Sequence, residues 1–204
     1  MSARSNDGPF LGLTNTLSEN YVRTAKRRAD GPDGPGGRPG LLSLYRACLV
    51  NAESLVDEAK VLLAHHRAAR AFALAYTAYE EVGKAMLVAD AYCDRVATSE
   101  LHAAFASHGV KAGYLQRSVR VDLDRASGWP GEGTIEYSVD SVGFRKRTAA
   151  MYVDFGTEYA PCIPDTAIST EDASARINLV DSHLHDISMA EYNGEQIGTY
   201  GLWK

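Results

Sequence analysis

Residues 71–89 read Ala71-Phe72-Ala73-Leu74-Ala75-Tyr76-Thr77-Ala78-Tyr79, then Glu80-Glu81-Val82-Gly83-Lys84, then Ala85-Met86-Leu87-Val88-Ala89. Both outer blocks are apolar nearly all round. A helix without a polar face belongs in the centre of a bundle, so this stretch sets an α-helical core, with the helix spanning His66 to Ala97. Its middle carries three charges. Glu80 and Lys84 stand at i,i+4 with the acid first, the favourable order. Gly83 costs about 1 kcal/mol relative to alanine there and points to close helix approach. Lone buried charges are expensive, so Glu80, Glu81 and Lys84 require partners.

Outward from this helix the chain organises itself. On the N-terminal side Leu41, Tyr45, Cys48, Ala52, Leu55, Ala59 and Leu62 alternate by four and three, a broad stripe on a helix over 41–63. The two helices should pack antiparallel, the second the more buried. On the C-terminal side Thr98 or Ser99 can cap a third helix running to about Val121, with His108 on its apolar face and Lys111 one turn on. Residues 124–143 form a long excursion containing glycine and proline, with a short hairpin at Ile135–Val139. A short helix over Phe144–Val153 and a loop over 154–168 follow. Ser169-Thr170-Glu171-Asp172 starts a last helix, which Asn193-Gly194 ends near Tyr192.

Five glycines and three prolines fall within Gly31–Gly40, a composition that suits a linker. The sequence thus divides into a flexible N-terminal arm with its linker, 1–40, and a helical domain, 41–204. The arm carries a net charge of +2 and the rest −7, within a total of −5. Such a body does not bind nucleic acid by bulk charge. No apolar run approaches the ~20 residues of a membrane span, and no secretory signal is read at the N-terminus. Cys48, Cys93 and Cys162 are widely spaced and form no C-x-x-C pair. A cytoplasmic protein without cofactor or bound metal is expected.

Several of these residues together resemble a known family. The run Asn51-Ala52, Leu55, Ala59, then Arg70-Ala71, then Glu80-Glu81-Val82-Gly83-Lys84, then His108-x-x-Lys111 is similar to the AbiV-type abortive infection proteins, within the wider HEPN group. Arg145-x-Arg147, Met151-Tyr152-Val153-Asp154-Phe155 and the following Pro161 or Pro164 resemble the second half of that family. The resemblance spans roughly 44–192. It implies a mostly α, HEPN-like antiparallel bundle with a long irregular insertion, and an antiphage effector that acts as a homodimer. It also implies RNA cleavage without metal by an Arg-x4–6-His motif, in which the arginine holds phosphate and the histidine moves protons.

Two pairs match that spacing, Arg95/His102 and Arg176/His183. About 1.3 matches arise by chance at ordinary composition, so the count alone decides nothing. Geometry ranks them. Seven residues along one helix return nearly to the same face, about 10.5 Å on. Arg176 and His183 share the last helix, whereas Arg95 and His102 straddle a predicted cap. His183 and His185 point apart on a helix and do not chelate one metal.

Three functions compete. One is a HEPN-type ribonuclease or translation inhibitor, with Arg176 and His183 as catalytic candidates and RNA as substrate. Another is a non-catalytic helical protein that binds a phage or host protein. The third is a metal enzyme drawing ligands from Glu80, Glu81, His108, Glu53 or Asp57, disfavoured because the Glu-x-x-His pairs of di-iron bundles are absent. His108 and Lys111 are further candidates for acid–base work. Glu80, Glu81 and Lys84 are either a structural ion network tied to His108 or a ligand-binding polar centre.

Overall fold

A computed structural model describes residues 37–120, 134–155, 157–195 and 197–198. The basic arm Arg23–Arg28, most of the glycine-rich excursion and Trp203 lie outside the described residues. Seven α-helices occur among those described: α1 Gly37–Ala64, α2 Ala68–Tyr92, α3 Thr98–Ala106, α4 His108–Gly113, α5 Ser141–Met151, α6 Pro164–Ala167 and α7 Thr170–Tyr192. Two small antiparallel pairs join them, β1 Ser118–Arg120 with β2 Thr134–Glu136 and β3 Asp154–Phe155 with β4 Pro161–Cys162. The fold is mostly α, as the apolar periodicity requires.

α2 is the axis. Nineteen of its 25 residues are buried, among them Tyr76, Leu87 and both glutamates. α1 covers one side with Tyr45, Cys48, Ala52, Val56 and Ala59, the expected stripe. α7 covers another with Ala173, Ile177, Val180 and Ile187. The Tyr45 hydroxyl donates to Glu191 Oε1 at 2.7 Å, and Lys60 Nζ reaches Asp181 Oδ1 at 3.1 Å. Those two contacts fix α1 antiparallel to α7. Since α1 is also antiparallel to α2, α2 and α7 run side by side in the same direction. No helix among the described residues is long and apolar enough to cross a membrane.

The elements depart from the sequence reading at several points, and the stretch expected as loop over 154–168 holds β3, β4 and α6. α1 begins at Gly37, inside the expected linker. Proline is tolerated in a first turn, where its missing N–H needs no partner, and the Ser43 hydroxyl bonds back to the Pro39 carbonyl at 3.0 Å. α2 is shorter than 66–97, because His66 takes a left-handed conformation (φ 58°) that closes the turn after α1. The third helix does not run unbroken to Val121. Ser107 is extended and caps α4 by accepting from the Val110 N–H at 3.4 Å, so the chain breaks into α3 and α4 and then a strand. A serine that bonds its own neighbouring backbone competes with helix continuation. Ile135 pairs with the distant Val119, not within a local hairpin. At the far end Ser169 caps α7 by accepting from the Asp172 N–H at 3.1 Å, and Asn193 with Gly194 (φ 79°) closes it.

Candidate functional site

Two charged centres lie next to each other along α2, both made from the segment that sets the fold. The first joins α2 to α4. Glu80, 3% exposed, accepts His108 Nδ1 with both oxygens, at 2.8 and 3.0 Å. Lys111 Nζ stands 3.5 Å from the same carboxylate. The imidazole is stacked on the Phe144 ring from α5, 5.6 Å between centroids. Gly83 permits the crossing, since a Cβ there would lie 1.8 Å from the Lys111 carbonyl oxygen. Glu80-Glu81-x-Gly83 and His108-x-x-Lys111 are therefore two halves of one helix contact.

Lys84 does not pair with Glu80, as its spacing suggested. It pairs with Glu81 at i,i+3 and lies over the Phe105 ring. The reason is competition. His108 and Lys111 from α4 reach Glu80 across the crossing, while Glu81 faces the half-buried side where Lys84 lies. No group of three or more His, Cys, Asp or Glu able to hold a metal occurs among the described residues.

The second centre joins α2 to α7. The Arg176 guanidinium sits over three rings of α2, with its carbon 4.9 Å from the Tyr79 centroid, 5.2 Å from Tyr76 and 5.7 Å from Phe72. Phe72, Tyr76 and Tyr79 are spaced by four and three, one face of α2. Two turns along α7 the His183 ring lies 6.0 Å from the same Tyr79 ring. Arg176 and His183 thus face one side of their helix, converging on one tyrosine. Burial, with the charge of Asp140, pushes the Tyr76 and Tyr79 phenols up, and Arg176 pulls them part of the way back. Both rings are neutral at physiological pH, so they offer the guanidinium π-faces and no counter-charge.

Asp140, at the start of α5, supplies the nearest acid, with Oδ2 3.8 Å from Arg176 Nη1. That is an ion pair beyond hydrogen-bond length. Among the described residues no hydrogen bond reaches the guanidinium, although the side chain is only 16% exposed. Most buried arginines spend their five donors on partners. This one does not.

The other sequence candidates are separated. Arg95 is committed to Asp90 Oδ1 at 3.0 Å, while His102 is exposed on α3. His185 is exposed on the far side of α7 from His183. A third buried network had no clear sequence signal. Asp90 is fully buried and takes Arg117 Nε at 2.8 Å, the Tyr114 hydroxyl at 2.7 Å and Arg95. An aspartate closing an apolar run marks its need of partners, but those partners lie up to 27 residues on. The aromatic cage and Asp140 were equally missed, because cation–π pairing leaves no charge pattern to read.

The family model HEPN_AbiV, described as AbiV, matches residues 40–185, well over half of the chain. The chain belongs to the AbiV family of HEPN proteins. No curated protein and no solved structure matches it. The matched span takes in α1, α2, both charged centres and α7 through His183. Membership in the AbiV family points to abortive infection, a form of antiphage defence.

Proposed function

We propose that this AbiV-family protein arrests infected cells by cleaving RNA in the cytoplasm, with Arg176 and His183 as the reacting pair. The observation that carries the reading is the Arg176 guanidinium, partly buried, flanked by three rings and without a hydrogen-bond partner among the described residues. Planar forked donors match phosphate oxygens. The ring cage orients those donors in advance, so little order is lost on binding. In the reaction the RNA 2′-hydroxyl attacks the adjacent phosphorus and the 5′-oxygen leaves. His183 accepts the hydroxyl proton and returns one to the leaving oxygen, while Arg176 stabilises the charge that builds on the phosphoryl oxygens. His108 and Lys111 belong on this reading to the α2–α4 contact and not to the chemistry.

The acting species on this reading is a homodimer. Light scattering that gives the mass of one chain across micromolar concentrations would count against that part alone. The reaction itself is tested with purified protein and single-stranded RNA in a chelating buffer. Cleavage by wild type, lost in both Arg176→Ala and His183→Ala, supports the reading. Equal cleavage by all three proteins, or none by any, overturns it.

One observation favours a second reading, a protein that binds a phage or host protein. Around β3 and β4 the side chains of Tyr152, Val153, Phe155 and Tyr159 are exposed, Phe155 by 79% and Tyr159 by 87%. Adjacent exposed aromatics are typical of contact surfaces. If Phe155→Ser with Tyr159→Ser abolishes growth arrest while Arg176→Ala and His183→Ala do not, the binding reading replaces the catalytic one.

A further inference from the structure

Asp140 performs two tasks with one carboxylate. Its Oδ1 accepts the Gly143 N–H at 2.8 Å and caps α5. Its backbone carbonyl accepts the Tyr76 hydroxyl at 3.4 Å. These contacts pin the residue, and Oδ2 then stops 3.8 Å from Arg176 Nη1. The missing side chain of Gly143 makes the convergence possible. A Cβ there would lie 2.2 Å from Asp140 Oδ2, 2.5 Å from Tyr76 Cε2 and 2.9 Å from Arg176 Nη2.

We propose that Asp140 is a built-in counter-anion, which Arg176 exchanges for a phosphodiester of single-stranded RNA. The inference rests on the phosphate-binding reading of Arg176. Held by its cap, the carboxylate is near enough to balance the cation but too far to take its hydrogen bonds. A phosphate oxygen is not tethered and can close to the ~2.8 Å of a charge-assisted bond. The incoming phosphate meets donors already aimed, together with a negative charge that stays behind. Asp140 therefore keeps affinity low in the resting protein and favours ligands that bring further contacts beyond one phosphate. It is a positioning residue and touches neither the reacting phosphorus nor the attacking oxygen.

The test is binding of the full chain to a short single-stranded 2′-O-methyl RNA, which lacks the attacking hydroxyl, by fluorescence anisotropy at low salt. Asp140→Asn keeps a good helix cap and removes the charge. It should bind about fivefold more tightly than wild type, the effect of one unit charge near 4 Å in a solvated setting. Asp140→Ser also caps α5 and should do the same, which guards against a fault peculiar to asparagine. The gain should vanish in an Arg176→Ala background. Unchanged or weaker binding in both Asp140 variants, with Arg176→Ala still weakening the wild type, overturns the counter-anion and leaves the Arg176 reading intact. If Arg176→Ala binds as well as wild type, or nothing binds, both fall together.

Discussion

Glu80 and Arg176 are both largely buried charges against α2, yet their surroundings differ in kind. Glu80 has an imidazole on both oxygens and a lysine beside them. Arg176 has three neutral rings and an acid held just out of bonding range. The first charge is answered from within the chain, and the helix crossing depends on it. The second is held in place by forces that leave its donors available. A buried charge with ionic partners maintains a fold, whereas one held by π-faces can serve a ligand.

The comparison breaks first if Glu80 is dispensable. Glu80→Ala leaves Lys111, 7% exposed, without its anion. Stranding a buried charge costs about 3–5 kcal/mol. Denaturant unfolding should register a loss of that order. Adding Lys111→Met should recover most of it, because removing both charges also removes their desolvation. A Glu80→Ala cost below about 1 kcal/mol would make the centre functional and not structural.

Arg176→Ala should have the opposite profile. RNA cleavage should fall about a hundredfold or more, as when a preorganised donor to a developing anion is removed. Stability should fall by about 1–2 kcal/mol, from lost ring contacts and packing. Arg176→Lys should restore little activity, since a point charge lacks the planar fork. If unfolding shows a loss as large as that of Glu80→Ala, the two centres do the same kind of work.

The fold was legible because its signal is redundant. The apolar faces of α1, α2 and α7 repeat over many turns, and the caps at Ser169 and Asn193-Gly194 are local chemistry. The breaks were not legible. Whether Ser107 ends a helix depends on its bond to Val110 and on Gly83 admitting Lys111, and neither contact has a periodic trace. The site was half legible. Helical spacing alone put Arg176 and His183 on one face of α7. It could not supply Asp140, 36 residues before Arg176, nor tell that Tyr76 and Tyr79 are the cage and not merely core. Spacing also misdirected one pair, because Lys84 at i,i+4 from Glu80 satisfied the local rule until His108 and Lys111 from α4 took the carboxylate.

That pair gives a sharper and smaller test. Lys84 and Glu81 are 21% and 12% exposed, so water offsets part of their mutual loss. Lys84→Met alone should cost about 1–2 kcal/mol, between surface and fully buried pairs. Lys84→Met with Glu81→Met should cost less than the single change. Lys84→Met with Glu80→Met should cost more, since it strands both Glu81 and Lys111. A double replacement at 80 and 84 that proves the milder one would return Lys84 to Glu80.

The smallest effect belongs to a third kind of charge, one facing solvent. Lys146 Nζ meets Asp172 Oδ1 at 2.5 Å and ties α5, which carries Asp140 at its start, to α7, which carries Arg176. The lysine's hydrogen bond is the main cause that lowers the Asp172 carboxyl below its ordinary value. A lowered folded-state pKa means that the native protein favours the charged carboxylate. The stability it contributes is fully present above the unfolded value, about 3.9, and is lost as pH falls through the lower folded value. Both side chains are substantially exposed, 44% for the lysine and 32% for the acid. Screening by solvent then limits the contact to about 0.5 kcal/mol. Lys146→Met should cost about that much near neutral pH and close to nothing at about pH 2, where the carboxylate is protonated with or without its partner. Urea unfolding at the two pH values measures it. An equal cost at both would assign the loss to the lysine's methylenes packing between the helices, and the charge would then play no part in holding α5 against α7.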